Sequence, residues 1–121
     1  LKYVFDVQSY QQKGIGMLAT VIETPTFKKL SQDIWQADER TEFISFLANN
    51  PLGGDVIPNT NGLRKIRWAK SGTGKRGGVR VIYYNQLDNG HIYLITIYTK
   101  AKFDNLPNSL LNELKKKPLI Y

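Results

Sequence analysis

The chain predicts an α+β fold, an antiparallel-rich small sheet packed by an N-terminal helix pair, in the order β-α-α-β-β-β-α. Three observations carry that expectation. A single strand-like run is followed by two helical runs. The apolar period then changes to two from Leu63 onward. A tight turn sequence, Asp88-Asn89-Gly90, separates the last two strand-like runs and marks a hairpin, because Asn and Gly accept the positive φ such turns need.

Each element has a local reason. Met17–Glu23 is rich in Leu, Val, Ile and Thr, as strands are. Thr24-Pro25 opens a helix, with Thr as the capping oxygen and Pro where a missing N–H costs nothing. Phe27, Leu30 and Ile34 then recur at helical spacing to about Trp35. Asp38 is the expected cap of a second helix that buries Phe43, Ile44 and Leu47 and stops at Asn49-Asn50-Pro51. Asp38, Glu39 and Glu42 suit a helix start, where the macrodipole favours acids. Leu52–Asn61 reads as a loop. Leu63–Ala69, Val79–Leu87 and His91–Tyr98 read as strands, the first two joined by the glycine-rich stretch Ser71–Gly78. Pro107–Lys117 predicts a short polar helix with Leu110, Leu111 and Leu114 inward. Leu1–Gly16 lies outside this plan as an N-terminal extension, 17–117 is the domain, and 118–121 is a tail.

Composition narrows the function. With 121 residues, 41% of them apolar, the chain suits one domain that needs no staples. Cysteine is absent, which removes disulfides, thiol nucleophiles and cysteine-based zinc sites. His91 is the one histidine, and it reads as a surface residue beside a turn. No acidic cluster suits a Mg²⁺-dependent nuclease. The apolar runs are far short of a bilayer span, and the first residues lack a signal pattern, so a soluble cytoplasmic domain is expected.

Charge is the sharper signal. Net charge is +7, yet Gly62–Lys102 holds nine basic residues against Asp88 alone, so the remaining 80 residues sum to −1. A positive field concentrated in one segment fits a polyanion, most often nucleic acid. Within LRKIRWAKSGTGKRGGVRVIYY, strand alternation puts Lys65 and Arg67 on one face. The neighbouring strand adds Arg80 and Tyr84, and the loop between adds Lys75 and Arg76. Cations grip phosphates and aromatic rings stack on bases. Crowded cations also lower one another's pKa, which suits a lysine to proton transfer. The same residues fit a solvated strand face. Tyr83 and Tyr84 cannot both point the same way, so at least one belongs to the core. The glycine loop lacks the P-loop order and lies between strands.

GLRKIRWAKSGTGKRGGVRVIYY, followed by ITIYTKAKFDNLP, resembles the signature of HigB-type toxins in the RelE superfamily of bacterial toxin–antitoxin systems. The resemblance runs from Met17 to about Lys117, and it implies a RelE-like fold. It also implies a metal-independent mRNA interferase without cofactor, which cuts the codon in the ribosomal decoding site by attack of the ribose 2′-OH. Matched by position, Lys65 is the proton-transfer or positioning group and Arg67 its charge-stabilising neighbour. By the same match Arg80 is expected to grip the reacting phosphate, and Lys100 to be a further catalytic cation. The family's C-terminal aromatic position is poorly matched, with Tyr98 or Tyr84 as substitutes. Arg64, Lys70, Lys75 and Arg76 are assigned to RNA contacts, although Arg64 shares its alternation face with Ile66 and Trp68. The implied partners are the ribosome, mRNA and an antitoxin with a helix-turn-helix DNA-binding domain, with no membrane, and the free toxin is expected to be monomeric. Competing readings are a non-catalytic basic binder of RNA or DNA, and an inert relative that retains only antitoxin binding.

Overall fold

The computed structural model describes residues 2–6, 18–68, 78–86, 90–100, 102 and 105–116. Six strands form one sheet: β1 (Lys2–Asp6), β2 (Leu18–Glu23), β3 (Asp55–Val56), β4 (Leu63–Trp68), β5 (Val79–Gln86) and β6 (His91–Thr99). Their spatial order is β1-β2-β6-β5-β4-β3. Every pairing is antiparallel except β2 with β6, which the helix pair and strands β3–β5 separate in the chain. The helices are α1 (Pro25–Ile34), α2 (Ala37–Asn49) and α3 (Asn108–Lys116). The α+β architecture and the helix pair are as the sequence predicts, with two short strands added.

One addition is β1, which pairs with β2 from Lys2↔Ile22 to Asp6↔Leu18, so part of the N-terminal extension joins the sheet edge. The other is β3, which turns the middle of the expected Leu52–Asn61 loop into a two-residue edge against β4. That loop still needs left-handed backbone at Asn59, Asn61 and Gly62, which accounts for its Asn and Gly content. Gly90 has φ +72°, as the predicted hairpin turn requires, while Asp88 and Asn89 lie outside the described residues.

The helix starts divide. Thr24 caps α1 as expected, its Oγ1 accepting from Phe27 N at 3.3 Å with Pro25 in the first turn. The cap of α2 is Gln36, not Asp38. The backbone N–H of Gln36 donates to Glu39 Oε1 at 3.2 Å, so the reciprocal partner three residues on outweighs the intrinsic preference for Asp. Asp38 instead accepts from Glu39 N within the first turn. Two leucines expected inward are exposed: Leu30 on α1 and Leu110 on α3. Both line a groove of about 360 Å³ that also takes in Leu106, Leu114 and Tyr98.

The core has two sides. Phe27, Trp35, Phe43, Ile44 and Leu47 of the helix pair pack on Val79, Val81, Tyr83, Leu94 and Ile97 of the sheet. Trp35 sits where the helices join, its ring 5.1 Å from Phe43 and 6.4 Å from Phe27. On the opposite face, Leu111 of α3 covers Leu63, Ile82, Tyr93, Ile95 and Tyr98.

Strand β6 could not serve both sides in regular alternation. Its partners on β5 jump from Tyr83↔Leu94 to Ile82↔Thr96, leaving Ile95 as an extra residue in a β-bulge. Because side chains alternate with period two, one extra residue inverts the facing of everything beyond it. Tyr93 and Tyr98, five apart, thereby share the α3 face, and Leu94 and Ile97, three apart, share the helix-pair face.

The β3 segment is pinned to the sheet through Gly54. Its N–H donates to Tyr83 Oη at 2.8 Å and its carbonyl accepts from Arg64 Nη1 at 2.6 Å. The Tyr83 hydroxyl in turn donates to Pro51 O at 2.9 Å. A Cβ at Gly54 would meet Lys65 O at 2.8 Å and the Tyr83 ring at 2.9 Å, so only glycine fits. Tyr83→Phe removes both bonds and strands the buried Gly54 N–H, at a cost of about 1–3 kcal/mol. Denaturant unfolding should show the midpoint falling with little change in slope.

Glu23 is the one buried carboxylate among the described residues. Arg40 Nε of α2 lies 3.5 Å from its Oε1, but the geometry makes no hydrogen bond. Burial pushes the Glu23 carboxyl above its ordinary range, and Arg40 opposes this only in part. The folded state therefore holds that proton more tightly than the unfolded chain. The associated stability is full below the ordinary carboxylate pKa and is lost as pH rises through the folded value. Melting temperatures of Glu23→Gln and the parent, followed from about pH 4 to about pH 7, should diverge in the variant's favour as pH rises. A gap that closes with rising pH contradicts this account.

Candidate functional site

The β4–β5 register sets Arg67 opposite Arg80, and the β5–β6 register sets Arg80 opposite Tyr98. Directly opposed residues share a face, so the three side chains form a row across three strands on the α3 side. Neighbours in such a row have Cβ atoms about 4.5–5.5 Å apart. Lys65 sits on the same face of β4, about 7 Å along the strand from Arg67.

Each group is held differently. Arg67 is exposed, whereas Arg80 retains 5% of its accessible surface. The Gly78 carbonyl accepts from Arg80 Nη1 at 3.2 Å and from the backbone N–H of Lys100 at 3.2 Å, which ties Lys100 to the same end of the sheet. Lys65 Nζ donates to Asn105 Oδ1 at 2.8 Å. The ion pairs Arg40–Glu23 and Lys116–Glu113 lie elsewhere and involve none of these cations.

Two like charges directly opposed on neighbouring strands destabilise a sheet. A guanidinium cannot relieve the strain by losing its proton. Placing Arg80 under cover next to Arg67 therefore makes a site whose repulsion an anion would remove. Its field is stronger than that of surface cations because Arg80 is largely out of water. Phosphate matches the forked donors of two arginines.

Tyr98 brings a different chemistry to the row. Burial pushes its hydroxyl above the ordinary tyrosine range, with the Arg80 guanidinium pulling weakly the other way. At neutral pH Tyr98 is thus a neutral phenol, able to donate a proton or a hydrogen bond.

The remaining sequence-predicted residues separate from this row. Arg64 points with Ile66 and Trp68 to the other face, where it holds Gly54. Tyr84 shares the α3 face but lies four residues from Arg80, and Lys115 Nζ of α3 sits 4.5 Å from its ring centroid. That ring face is occupied. Lys70, Lys75 and Arg76 lie outside the described residues. His91 is half-buried, with Nδ1 3.2 Å from Tyr93 Oη. Sequence reasoning missed Asn105, whose contact with Lys65 spans 40 positions and leaves no periodic signal.

A cavity of about 240 Å³ opens beside the row, between the sheet, the β3–β4 loop and the start of α3. Lys65, Tyr98, Asn105 and Asn108 contribute to its lining.

No known protein-family profile matches the sequence. Among solved structures, the chain is similar to an E. coli toxin RelE carrying two arginine-to-alanine substitutions, determined in the free state. The TM-score is 0.53 at 10% identity, covering 79% of this chain and 95% of that one. The fold is RelE-like. No helix among the described residues is long and apolar enough to cross a membrane.

The Arg80–Tyr98 relation can be read by titration. The phenolate absorbance of the parent minus that of Tyr98→Phe should show one group ionising above the ordinary tyrosine value of about 10. Arg80→Ala should move that group further up, because it removes the cation that favours phenolate. A downward move contradicts the assigned pairing.

Proposed function

We propose that the chain is the toxin of a type II toxin–antitoxin system, an mRNA endoribonuclease of the HigB type that acts in the decoding site of the ribosome. The observation that carries the reading is the row Arg67–Arg80–Tyr98, two opposed cations and a neutral phenol in register on a RelE-like sheet. In this reading 17–117 is the toxin domain, working in the cytoplasm, and its antitoxin carries a helix-turn-helix domain.

The reaction needs no group beyond RNA and side chains. The ribose 2′-oxygen attacks the adjacent phosphorus, the P–O5′ bond breaks, and the products are a 2′,3′-cyclic phosphate and a 5′-hydroxyl. The proton from the 2′-OH must be accepted, and one must reach the departing O5′. Arg80 and Arg67 stabilise the extra negative charge of the pentavalent state, with Lys65 and Lys100 adding to the field. Tyr98, held as a phenol, is suited to the departing oxygen. Alignment of the 2′-oxygen with the scissile bond falls to the bound codon's geometry.

The test is primer extension on a defined mRNA, with ribosomes whose decoding site is vacant and without ribosomes. A cut inside the decoding-site codon that needs the ribosome supports the reading. Arg80→Ala should lower the cutting rate by about 10²-fold or more, with circular dichroism showing that the fold survives. Arg67→Ala, at an exposed position, provides a second loss that does not disturb the core. RNA binding without any cut would replace this reading with a non-catalytic binder. Cutting of naked RNA would mean a general ribonuclease.

A further inference from the structure

We infer that the cavity beside the cation row is a pocket for one nucleobase of the RNA strand whose phosphate lies on Arg67 and Arg80. The inference rests on the RNA reading above and assigns it a base-recognition site. Its volume, about 240 Å³, is below the roughly 300–1,000 Å³ of pockets that take drug-sized ligands, and suits a single heterocycle. Ile57, Pro58 and Leu106, which keep accessible surface, give it apolar walls, while Tyr98, Lys65, Asn105 and Asn108 supply polar edges. A base demands that combination of apolar faces and a hydrogen-bonding rim.

The two asparagines are set up as opposites. Asn105 is engaged through its amide oxygen, which accepts from Lys65 Nζ. Asn108 is engaged through its amide nitrogen, which donates to Pro58 O at 2.9 Å. A donor on Asn105 and an acceptor on Asn108 are left for a guest. A base edge presents the complementary acceptor and donor.

Position selects RNA over an unrelated small molecule. Lys65 and Tyr98 line the cavity and also belong to the anion site, Tyr98 opposite Arg80 and Lys65 two residues from Arg67 on one strand face. Lys65, on the edge of the cavity, stands about 7 Å along β4 from Arg67, a spacing within the reach of one nucleotide. Asn105 becomes a specificity-determining residue through its own amide and a positioning residue for Lys65.

The test is amide and side-chain NMR of the whole chain, titrated with the four nucleoside 3′-monophosphates, with ribose 5-phosphate and with inorganic phosphate. At least one nucleotide should bind about fivefold or more tighter than ribose 5-phosphate, the yield of about one hydrogen bond, and should shift the Asn105 and Asn108 side-chain amides. Asn105→Ala, at an exposed position, should erase that advantage and leave the phosphate response of Arg67 and Arg80 in place. Equal affinities with unmoved asparagine amides overturn the pocket and leave the anion site standing. Nucleotides that shift the asparagines without any phosphate response at the arginines support the pocket and overturn the phosphate reading. No binding by any probe overturns both.

Discussion

The site depends on one irregularity in a central strand. Ile95 is an extra residue in β6, and it changes which way Tyr98 faces relative to Tyr93. Without it, period-two alternation would send Tyr98 toward the helix pair and Ile97 toward α3. The bulge lets one strand complete two cores while delivering a phenol to the cation row. Bulges are common beside functional sites because they re-aim side chains at the cost of one unpaired residue. Here the ladder partners resume at Thr96 and run on to Thr99 opposite Val79, so the row sits in a regular and rigid stretch.

That rigidity matters because the row is electrostatically unfavourable in isolation. Arg80 is buried beside the exposed Arg67, and the surrounding packing holds both. Val79, Val81 and Ile82 are fully buried, so β5 cannot slide or twist to separate the charges. The Gly54 clamp stiffens the neighbouring edge through Tyr83, which lies on the opposite face of the same strand. Arg64 belongs to this clamp. The basic segment thus splits by facing, with Arg64 spent on architecture and Lys65 and Arg67 presented on the α3 side. Charge counting locates the segment but cannot make that division; strand parity can, once the register is known.

The legible parts of the sequence are those set by neighbours in the chain. Thr24-Pro25, the apolar face of α2 and the three long strands follow from local chemistry, and the structure has them within a residue or two. What was illegible depends on distant partners. Asp38 looks the better cap, but Glu39 reaching back to Gln36 decides the start. Strand β1 has no hairpin signal tying it to β2, and β3 is two residues long. Leu30 and Leu110 fit helical periods yet face a groove rather than a core. The row itself was half visible: alternation pairs Lys65 with Arg67, but the bulge that brings Tyr98 beside Arg80 has no sequence signature.

A RelE-like fold at 10% identity means that the scaffold tolerates nearly complete replacement of its residues. Here the register of three adjacent strands sets side chains abreast on one face. In this chain the abreast positions hold two guanidiniums, which cannot lose a proton, and a phenol that burial keeps protonated. All three stabilise or donate, and none can accept. If the proposed reaction holds, removal of the 2′-OH proton must fall to a group outside the row. Lys65, one step along β4 on the same face, is the side chain that the proposed reading sets beside the row. Asn105 Oδ1 accepts from its Nζ and fixes where that group sits.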